Sequence, residues 1–237
     1  MATIELGHIN VDVTQKNIKN IHLSVHPPKG RVTISAPKRM DLETIRVYAV
    51  SKLGWIKKQQ EKIAKQKREP IREFVNRESH YFKGERYLLK VIESNFPTKV
   101  ELKHSILELH VRPNSATIKR RQVLDEWYRQ QLKVEIPKFI SGWEKKLNVQ
   151  VNEFGVKKMK TRWGSCNIKK KRIWLNLELA KKPIECLEYV VVHEMVHLLE
   201  KNHNVLFVSL MDKHFPNWKH SKDLLNRLPV SHVDWEY

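Results

Sequence analysis

Apolar and polar residues alternate along the first part of the chain, over residues 3–36. Ile21, Leu23 and Val25 would lie on one face of a strand, and the Pro-Pro-Lys-Gly turn at 27–30 follows them. Because successive side chains of a strand point to opposite faces, this alternation predicts a β-hairpin or meander.

After Asp41 the apolar spacing changes to three and four residues, which is the spacing of one face of a helix. The positions that share it are Leu42, Ile45, Ala49, Leu53 and Ile56. Asp41 is a good N-cap, so the pattern predicts one long helix at about 41–68. Two further strands are predicted at 87–92 and 100–111, separated by turn residues.

The second half of the chain mixes both kinds of spacing. The elements predicted there are a helix at 116–147 bent at Pro137, strands at 149–160 and 172–179, an apolar helix opening at Pro183, and short helices at 205–214 and 219–228. The sequence therefore predicts an α+β protein. A β-rich N-terminal part at 1–115 with one long helix precedes a second domain at 116–237.

The clearest chemical signal is H-E-x-x-H, spelled by His193, Glu194 and His197 inside the apolar stretch 189–199. Residues four apart lie one above the other on a helix, so both imidazoles can reach one metal ion. Glu194 lies one step round the helix, where it can reach a water molecule and act as a general base. The motif predicts a catalytic zinc site with one Zn²⁺ per chain.

Catalytic zinc has three protein ligands, so a third ligand is needed. His203 is the first candidate, because the polar residues before it can end the helix and return the chain to the metal, with Asn202 as the predicted left-handed turning residue. The alternatives that remain open are Asp212, His214, His220 and Asp223.

The formal net charge of +19 raises the question of whether the protein binds a polyanion. The positive excess is +10 in residues 1–115 (22 basic, 12 acidic) and +9 in residues 116–237 (23 basic, 14 acidic), so there is no basic tail. Dense basic stretches at 52–68 and 157–172 suit a polyanion such as DNA. The alternative is a lysine-rich surface that only keeps the protein in solution.

Other features of the sequence argue against a secreted protein, a membrane-spanning protein and a disulfide-stabilised one. The first residues have neither a basic nor an apolar signal region, and no apolar run reaches a spanning length, so we expect a cytoplasmic protein without membrane contact. The mean hydropathy of −0.56 agrees with this expectation. Cys166 and Cys186 are too few for a disulfide framework and are predicted to be thiols outside the metal site.

Four segments together resemble the YgjP-like metallopeptidase-domain family, which is similar to the SprT and WLM groups of zinc-dependent proteases. They are K-T-R-W-G-S-C at 160–166, R-I-W-L-N-L-E-L at 172–179, V-V-V-H-E-M-V-H-L at 190–198 and N-H-x-x-x-F at 202–207. The resemblance implies a minimal zincin-like fold for the second domain, with zinc on the H-E-x-x-H helix and His203 as its third ligand.

The function predicted is hydrolysis of a peptide or protein substrate, with Glu194 as general base. The peptide is expected to pair with the strand at 172–179, and Arg162 to contact a carboxylate or a substrate carbonyl. Arg162 can equally belong to a turn that packs Trp163 beneath the metal helix. Two alternatives involve nucleic acid: an accessory protein with a structural zinc ion, or a protease that cuts DNA-associated proteins.

Overall fold

The computed structural model describes residues 2–26, 29–65, 72–159 and 162–229. The chain forms two compact units, Met1–Lys67 and Arg68–Tyr237. The predicted α+β class is confirmed, with strands dominating the N-terminal part. The predicted domain boundary at 115/116 differs from the observed division after Lys67, because the strands between 79 and 111 share a core with the helices that follow.

The first unit consists of a four-stranded sheet and two helices. Its elements are β1 (Ala2–Leu6), β2 (Ile9–Lys16), β3 (His22–His26), β4 (Arg31–Pro37), α1 (Leu42–Ser51) and α2 (Leu53–Lys65). The strand order is β1-β2-β4-β3, with β2 and β4 parallel and the outer pairs antiparallel. The alternation predicted a hairpin or meander: the strands on either side of the 27–30 turn, β3 and β4, are an antiparallel pair, as are β1 and β2, whereas the parallel β2–β4 pair does not fit a meander.

The helix predicted at 41–68 is divided into α1 and α2 at Lys52. Asp41 caps α1 as expected, with its side chain accepting from Thr44 N at 2.7 Å. The break adjoins Gly54, whose low helix propensity weakens the chain at this point. Ile45 and Ile56 are both fully buried in the core of this unit. Residues 66–68 of the predicted helix lie outside the described residues.

The second unit begins with another four-stranded sheet. Its strands are β5 (Ser79–Phe82), β6 (Glu85–Glu93), β7 (Lys99–Lys103) and β8 (Ile106–Val111), in the order β5-β6-β8-β7. The single strand predicted at 100–111 is two strands, β7 and β8, because His104 takes left-handed backbone (φ 46°) and reverses the chain. β5 was not predicted, since four residues give too short an alternation.

A long helix, α3 (Thr117–Leu147), spans this unit and continues through Pro137. Its buried residues recur at three- and four-residue intervals from Leu124 to Leu147, so one stripe faces the core. The helix ends at Asn148, which adopts the left-handed conformation (φ 52°) typical of a helix C-terminus.

A three-stranded sheet, a 3-10 helix and three α-helices complete the second unit. They are β9 (Glu153–Lys157), β10 (Gly164–Asn167), β11 (Arg172–Asn176), a 3-10 helix (Leu177–Lys181), α4 (Ile184–Val196), α5 (Val205–His214) and α6 (Trp218–Arg227). The strand order is β10-β11-β9, with β10 antiparallel and β9 parallel to β11. β9 and β11 are shorter than the strands predicted at 149–160 and 172–179.

The order of this sheet changes the expectation for substrate binding. The strand predicted as the exposed edge, 172–179, is β11, and it lies between β10 and β9. In the described part of the chain the free edge beside the metal helix belongs to β10, which contacts α4. Nor does any helix of the described residues have both the length and the apolarity to cross a bilayer.

Candidate metal centre

The helix α4 carries the H-E-x-x-H motif through the core of the second unit. Nine of its thirteen residues are buried. Its apolar residues pack into the core. The motif residues lie at its C-terminal end, where His193 and His197 are half-buried. The helix ends at Val196, and His197 forms its C-cap, with its backbone N–H bonded to the His193 carbonyl at 3.4 Å.

A short loop returns the chain from α4 to His203. The N–H of Asn202 donates to Glu200 Oε1 at 2.9 Å, and the Asn202 carbonyl accepts from the N–H of Asn204 at 2.8 Å. Asn202 does not have the left-handed backbone that the sequence predicted. The side chain and backbone hydrogen bonds close the turn instead, and Asn204 then caps α5 by accepting from Phe207 N at 3.0 Å.

The three histidines predicted as ligands come together at this point. Nε2 of His203 lies 2.9 Å from Nε2 of His193, and one ligand nitrogen from each of His193, His197 and His203 falls within 4.8 Å of the others. Tetrahedral zinc with Zn–N distances of about 2.0–2.1 Å holds its nitrogen ligands about 3.3 Å apart. The three nitrogens therefore converge on a space of the size that a zinc ion requires.

The ring of Phe207 packs against all three imidazole rings. Its ring centroid lies 5.0 Å from that of His193, 4.8 Å from that of His197 and 4.7 Å from that of His203. The side chain is only 2% exposed. Sequence reasoning quoted this residue as part of a motif and gave it no role, because only the fold shows that α5 places it under the ligands.

The charge states of the histidines suit metal binding. Burial lowers the pKa of His193 to about 3, assisted by the positive charges of His197, His203 and Lys222, and burial also lowers the pKa of His203. Neutral imidazoles keep the lone pair that a metal ion needs. The Nδ1–H of His197 donates to the Glu200 carbonyl at 3.0 Å, which leaves its Nε2 for a ligand.

The two ring nitrogens of His193 differ in their surroundings. Nδ1 is buried without a hydrogen-bond partner among the described residues, whereas Nε2 faces Nε2 of His203 at 2.9 Å. Two imidazole nitrogens can face each other this closely only with a proton or a cation between their lone pairs. A donor set of three imidazoles therefore fits zinc.

Glu194 lies beside the histidines and is 5% exposed. The edge strand β10 packs directly against it: a Cβ atom added to Gly164 would lie 2.6 Å from Glu194 Oε1. Burial raises the pKa of Glu194 to about 8, while the positive charge of Arg162 acts in the opposite direction. A carboxyl group with a pKa near neutrality can both accept and return a proton.

Arg162, the predicted substrate contact, directly precedes β10. Its side chain is exposed, and its carbonyl accepts from Asn176 Nδ2 at 2.8 Å. Trp163 is half-buried and packs against the core of this unit. The positive charge of Arg162 acts on Glu194, so Arg162 lies near this carboxyl group as well as in the turn that packs Trp163.

The alternative ligands lie elsewhere. In the described residues, the close group around His193 includes none of Asp212, His214, His220 and Asp223. Asp212 instead accepts from Trp218 Nε1 at 2.8 Å and pairs with Lys219 at 3.0 Å. Both cysteines are free, and burial raises the pKa of Cys166 to about 11 and that of Cys186 to about 12, which keeps them as thiols.

A second close group of metal-binding residue types occurs on the sheet of β5 to β8. Glu101, Glu108 and His110 bring one ligand atom each within 4.8 Å of the others. Lysines already occupy the carboxylates: Lys90 lies 3.0 Å and Lys103 2.7 Å from Glu108. Their hydrogen bonds lower the pKa of Glu108 to about 2.

Three histidines from α4 and the following loop that could hold a metal ion thus lie beside a buried glutamate and the strand β10. The chain belongs to the YgjP-like family, whose metallopeptidase-domain model matches residues 19–228. This match confirms the family resemblance seen in the sequence. A comparison with curated proteins found no significant match.

Proposed function

We propose that the protein is a zinc-dependent metallopeptidase that hydrolyses peptide bonds, with His193, His197 and His203 as ligands and Glu194 as general base. The observation that carries the proposal is the buried Glu194 carboxyl group beside three converging imidazoles. Zinc bound there would polarise the scissile carbonyl and lower the pKa of a water molecule to about 7.

Glu194 performs the proton transfers. Its carboxylate accepts a proton from the attacking water and gives that proton to the leaving amine, so one residue acts as base and then as acid. Burial raises the pKa of this carboxyl group to about 8, which makes its carboxylate a stronger base towards the attacking water. Because Glu194 is 5% exposed, bulk water does not compete for that proton.

The free edge of β10 is the proposed binding site for the substrate backbone. β10 is hydrogen-bonded to β11 on one side, and its backbone at Gly164 packs against Glu194. A peptide that pairs with this edge gains main-chain hydrogen bonds without regard to its sequence. Arg162, at the start of the edge, contacts a substrate carbonyl or carboxylate.

The test compares Glu194→Gln with the wild type and with Glu188→Gln as a matched control. Glu188 lies on the same helix and accepts from Trp143 Nε1 at 2.9 Å, a hydrogen bond that glutamine preserves. Zinc content is measured for each protein purified without a tag, together with cleavage of an unstructured peptide library. We expect about one zinc ion per chain in all three proteins, and a loss of kcat of about 10³-fold in Glu194→Gln only.

Equal cleavage by Glu194→Gln and the wild type would contradict the role of Glu194. A wild type that takes up no zinc on reconstitution would contradict the metal site itself. Cleavage that Glu188→Gln loses as well would show that the assay reports on helix integrity and not on the catalytic carboxyl group.

A second candidate function is action on DNA-associated proteins, favoured by the charge around β9 to β11. Lys157 Nζ lies 4.8 Å and the Arg172 guanidinium 5.4 Å from the Trp174 ring centroid. The turn between β10 and β11 adds three exposed lysines, at 169–171. Basic side chains around an aromatic ring bind single-stranded nucleic acid through phosphates and stacking.

DNA binding is tested by titrating labelled single-stranded DNA at several salt concentrations, with Lys169, Lys170 and Lys171 each changed to Gln in one variant. Recruitment to DNA predicts a salt-dependent affinity that is weaker in the variant, and faster cleavage of DNA-bound proteins than of free ones. DNA binding by a zinc-containing wild type that cleaves nothing would favour the accessory-protein alternative. No binding at low salt would remove both.

A further inference from the structure

Asn176 occupies the last position of β11, and its side chain uses all of its hydrogen-bonding capacity. Nδ2 donates to the carbonyl oxygens of Met159 at 3.0 Å and Arg162 at 2.8 Å. Oδ1 accepts from the N–H groups of Met159 at 3.3 Å and Glu178 at 3.2 Å. A residue that is 4% exposed therefore has two donors and two acceptors satisfied by backbone groups.

The backbone of β11 holds the same segment from a second direction. The N–H of Asn176 donates to the Trp163 carbonyl at 2.9 Å, and Leu175 pairs with Gly164 in the sheet. The residues on both sides of the start of β10 are thus fixed to the end of β11. The side chain of Asn176 extends this attachment beyond the ladder, to the Arg162 carbonyl, which no strand pairing reaches.

The attached segment is the one that contacts the catalytic carboxyl group. A Cβ atom on Gly164 would lie 2.6 Å from Oε1 and 2.7 Å from Cγ of Glu194, so the backbone there packs against Glu194 without spare room. The charge of Arg162 also acts on Glu194. A shift of this segment would change the surroundings of the base and the line of the β10 edge together.

We propose that Asn176 is a positioning residue for peptide hydrolysis: its side-chain amide fixes the backbone at Arg162 to Gly164, and with it the β10 edge, against Glu194. The inference rests on the proposed function and assigns a role to a residue that touches neither the metal ligands nor the substrate. It also explains why a polar side chain is buried at the end of a core strand.

A purely structural role for Asn176 is that of N-cap to the 3-10 helix Leu177–Lys181, through its bond from Glu178 N. Asn176→Asp separates the two roles. Aspartate is similar in size and caps helices as well as asparagine does, but an ionised carboxylate cannot donate to the Met159 and Arg162 carbonyls. Asn176→Ser, which keeps a neutral capping oxygen and buries no charge, is the second variant.

The matched control is Tyr128→Phe in α3. The Tyr128 hydroxyl donates to the Tyr81 carbonyl at 2.8 Å, and the side chain is 1% exposed. This variant also loses a hydrogen bond to a buried backbone carbonyl, but at a position outside the proposed site. It therefore reports what a lost hydrogen bond of this kind does to the second unit in general.

Two measurements test the proposal on the full-length chain. Amide hydrogen exchange is expected to become at least about 10-fold faster at residues 162–167 in both Asn176 variants and to stay unchanged across α4. With zinc content still about one ion per chain, kcat/KM for a cleaved peptide is expected to fall about 100-fold, mostly in kcat. Tyr128→Phe should leave exchange at 162–167 unchanged and kcat/KM within about twofold of wild type.

Unchanged exchange at residues 162–167, or a kcat/KM within twofold of wild type in both Asn176 variants, would overturn the inference. So would a loss of zinc that parallels the loss of activity, since this indicates general damage. A zinc-loaded wild type that cleaves no peptide would overturn the proposed function and the positioning role with it. An active wild type with unimpaired variants overturns the positioning role alone.

Discussion

Two groups of three side chains in the second unit each bring possible metal ligands within 4.8 Å of one another, yet the surroundings of the two groups differ. His193, His197 and His203 converge over Phe207, and no ion pair with any of them is present in the described residues. Glu101 and Glu108 face each other across β7 and β8, and lysines neutralise them.

The difference lies in which groups compete for the ligand atoms. Like charges directly opposite each other destabilise a sheet, so Glu101 and Glu108 need cations, and Lys90 and Lys103 supply them within the chain. The described residues show no ion pair at the imidazoles, and burial lowers the pKa of His193 and His203. Proximity of suitable residue types therefore indicates a metal site only where the ligand atoms are not already neutralised.

The strongest test of this contrast removes one imidazole from each group. His203→Ala is expected to weaken zinc binding by more than about 100-fold, because changes that only disturb a ligand's hydrogen-bond partner already cost 10–100-fold. His110→Ala should leave zinc content at about one ion per chain. Equilibrium dialysis with competing chelators measures both, and equal zinc loss in the two variants would contradict the assignment.

Gly164→Ala tests whether the space beside Glu194 matters as much as the ligands. The added methyl group would meet Glu194 Oε1 at 2.6 Å, so the carboxyl group or β10 must move, and kcat/KM is expected to fall about 100-fold with zinc retained. Gly142→Ala in α3, where nothing lies within 4 Å of the new methyl group, is the control and should keep full activity. Full activity in Gly164→Ala would mean that this contact has no catalytic importance.

A pH experiment extends the comparison to a buried histidine outside the metal site. His80 on β5 is 4% exposed, and burial, with the charges of Arg72 and Lys181, lowers its pKa to about 3. The unfolded chain, with a histidine pKa of about 6.5, then binds more protons below neutrality, so stability is complete above pH 6.5 and declines as the pH falls toward 3.

His80→Gln removes this titration. The loss of unfolding free energy between pH 7 and pH 5 is expected to be smaller in the variant by up to about 2 kcal/mol. Urea unfolding at the two pH values, on zinc-saturated protein, measures it. An unchanged loss in the variant would show that His80 does not contribute to acid sensitivity.

The smallest effect is expected where the lysines are removed. Lys90→Met with Lys103→Met removes both lysines from Glu108, while Lys99 stays 2.9 Å from Glu101, and weak binding of a second zinc ion is expected in calorimetric titrations. The wild type should bind only one. No second binding event in the double variant would mean that geometry, and not the lysines, disqualifies this group.

How much the sequence predicted depends on how local each feature is. The spacing of His193, Glu194 and His197 on a helix needs only helical periodicity, and the motif matches identified the family. The edge of the three-stranded sheet could not be predicted, because strand order depends on pairing between β9 and β11, which lie far apart in sequence. The same limit hid the contact of Gly164 with Glu194 and the hydrogen bonds of Asn176 to Met159 and Arg162.

Errors in element boundaries have similarly local causes. The pattern from Leu42 to Ile56 continues through Lys52 without interruption, so periodicity alone could not show the break between α1 and α2. At His104 a non-glycine residue takes left-handed backbone, which the apolar pattern of 100–111 does not indicate. Asn202, which was expected to adopt that conformation, does not, because hydrogen bonds within the loop close the turn.

The ring of Phe207 beneath the three imidazoles has a consequence for the order of assembly. When packing holds the ligand side chains in place, the site is preorganised by folding. Metal binding then costs little free energy for ordering those side chains. Removal of the metal should then leave a folded protein that reloads without refolding. Under the proposed zinc-dependent function, the metal-free protein would stay folded, and its activity would follow the supply of zinc.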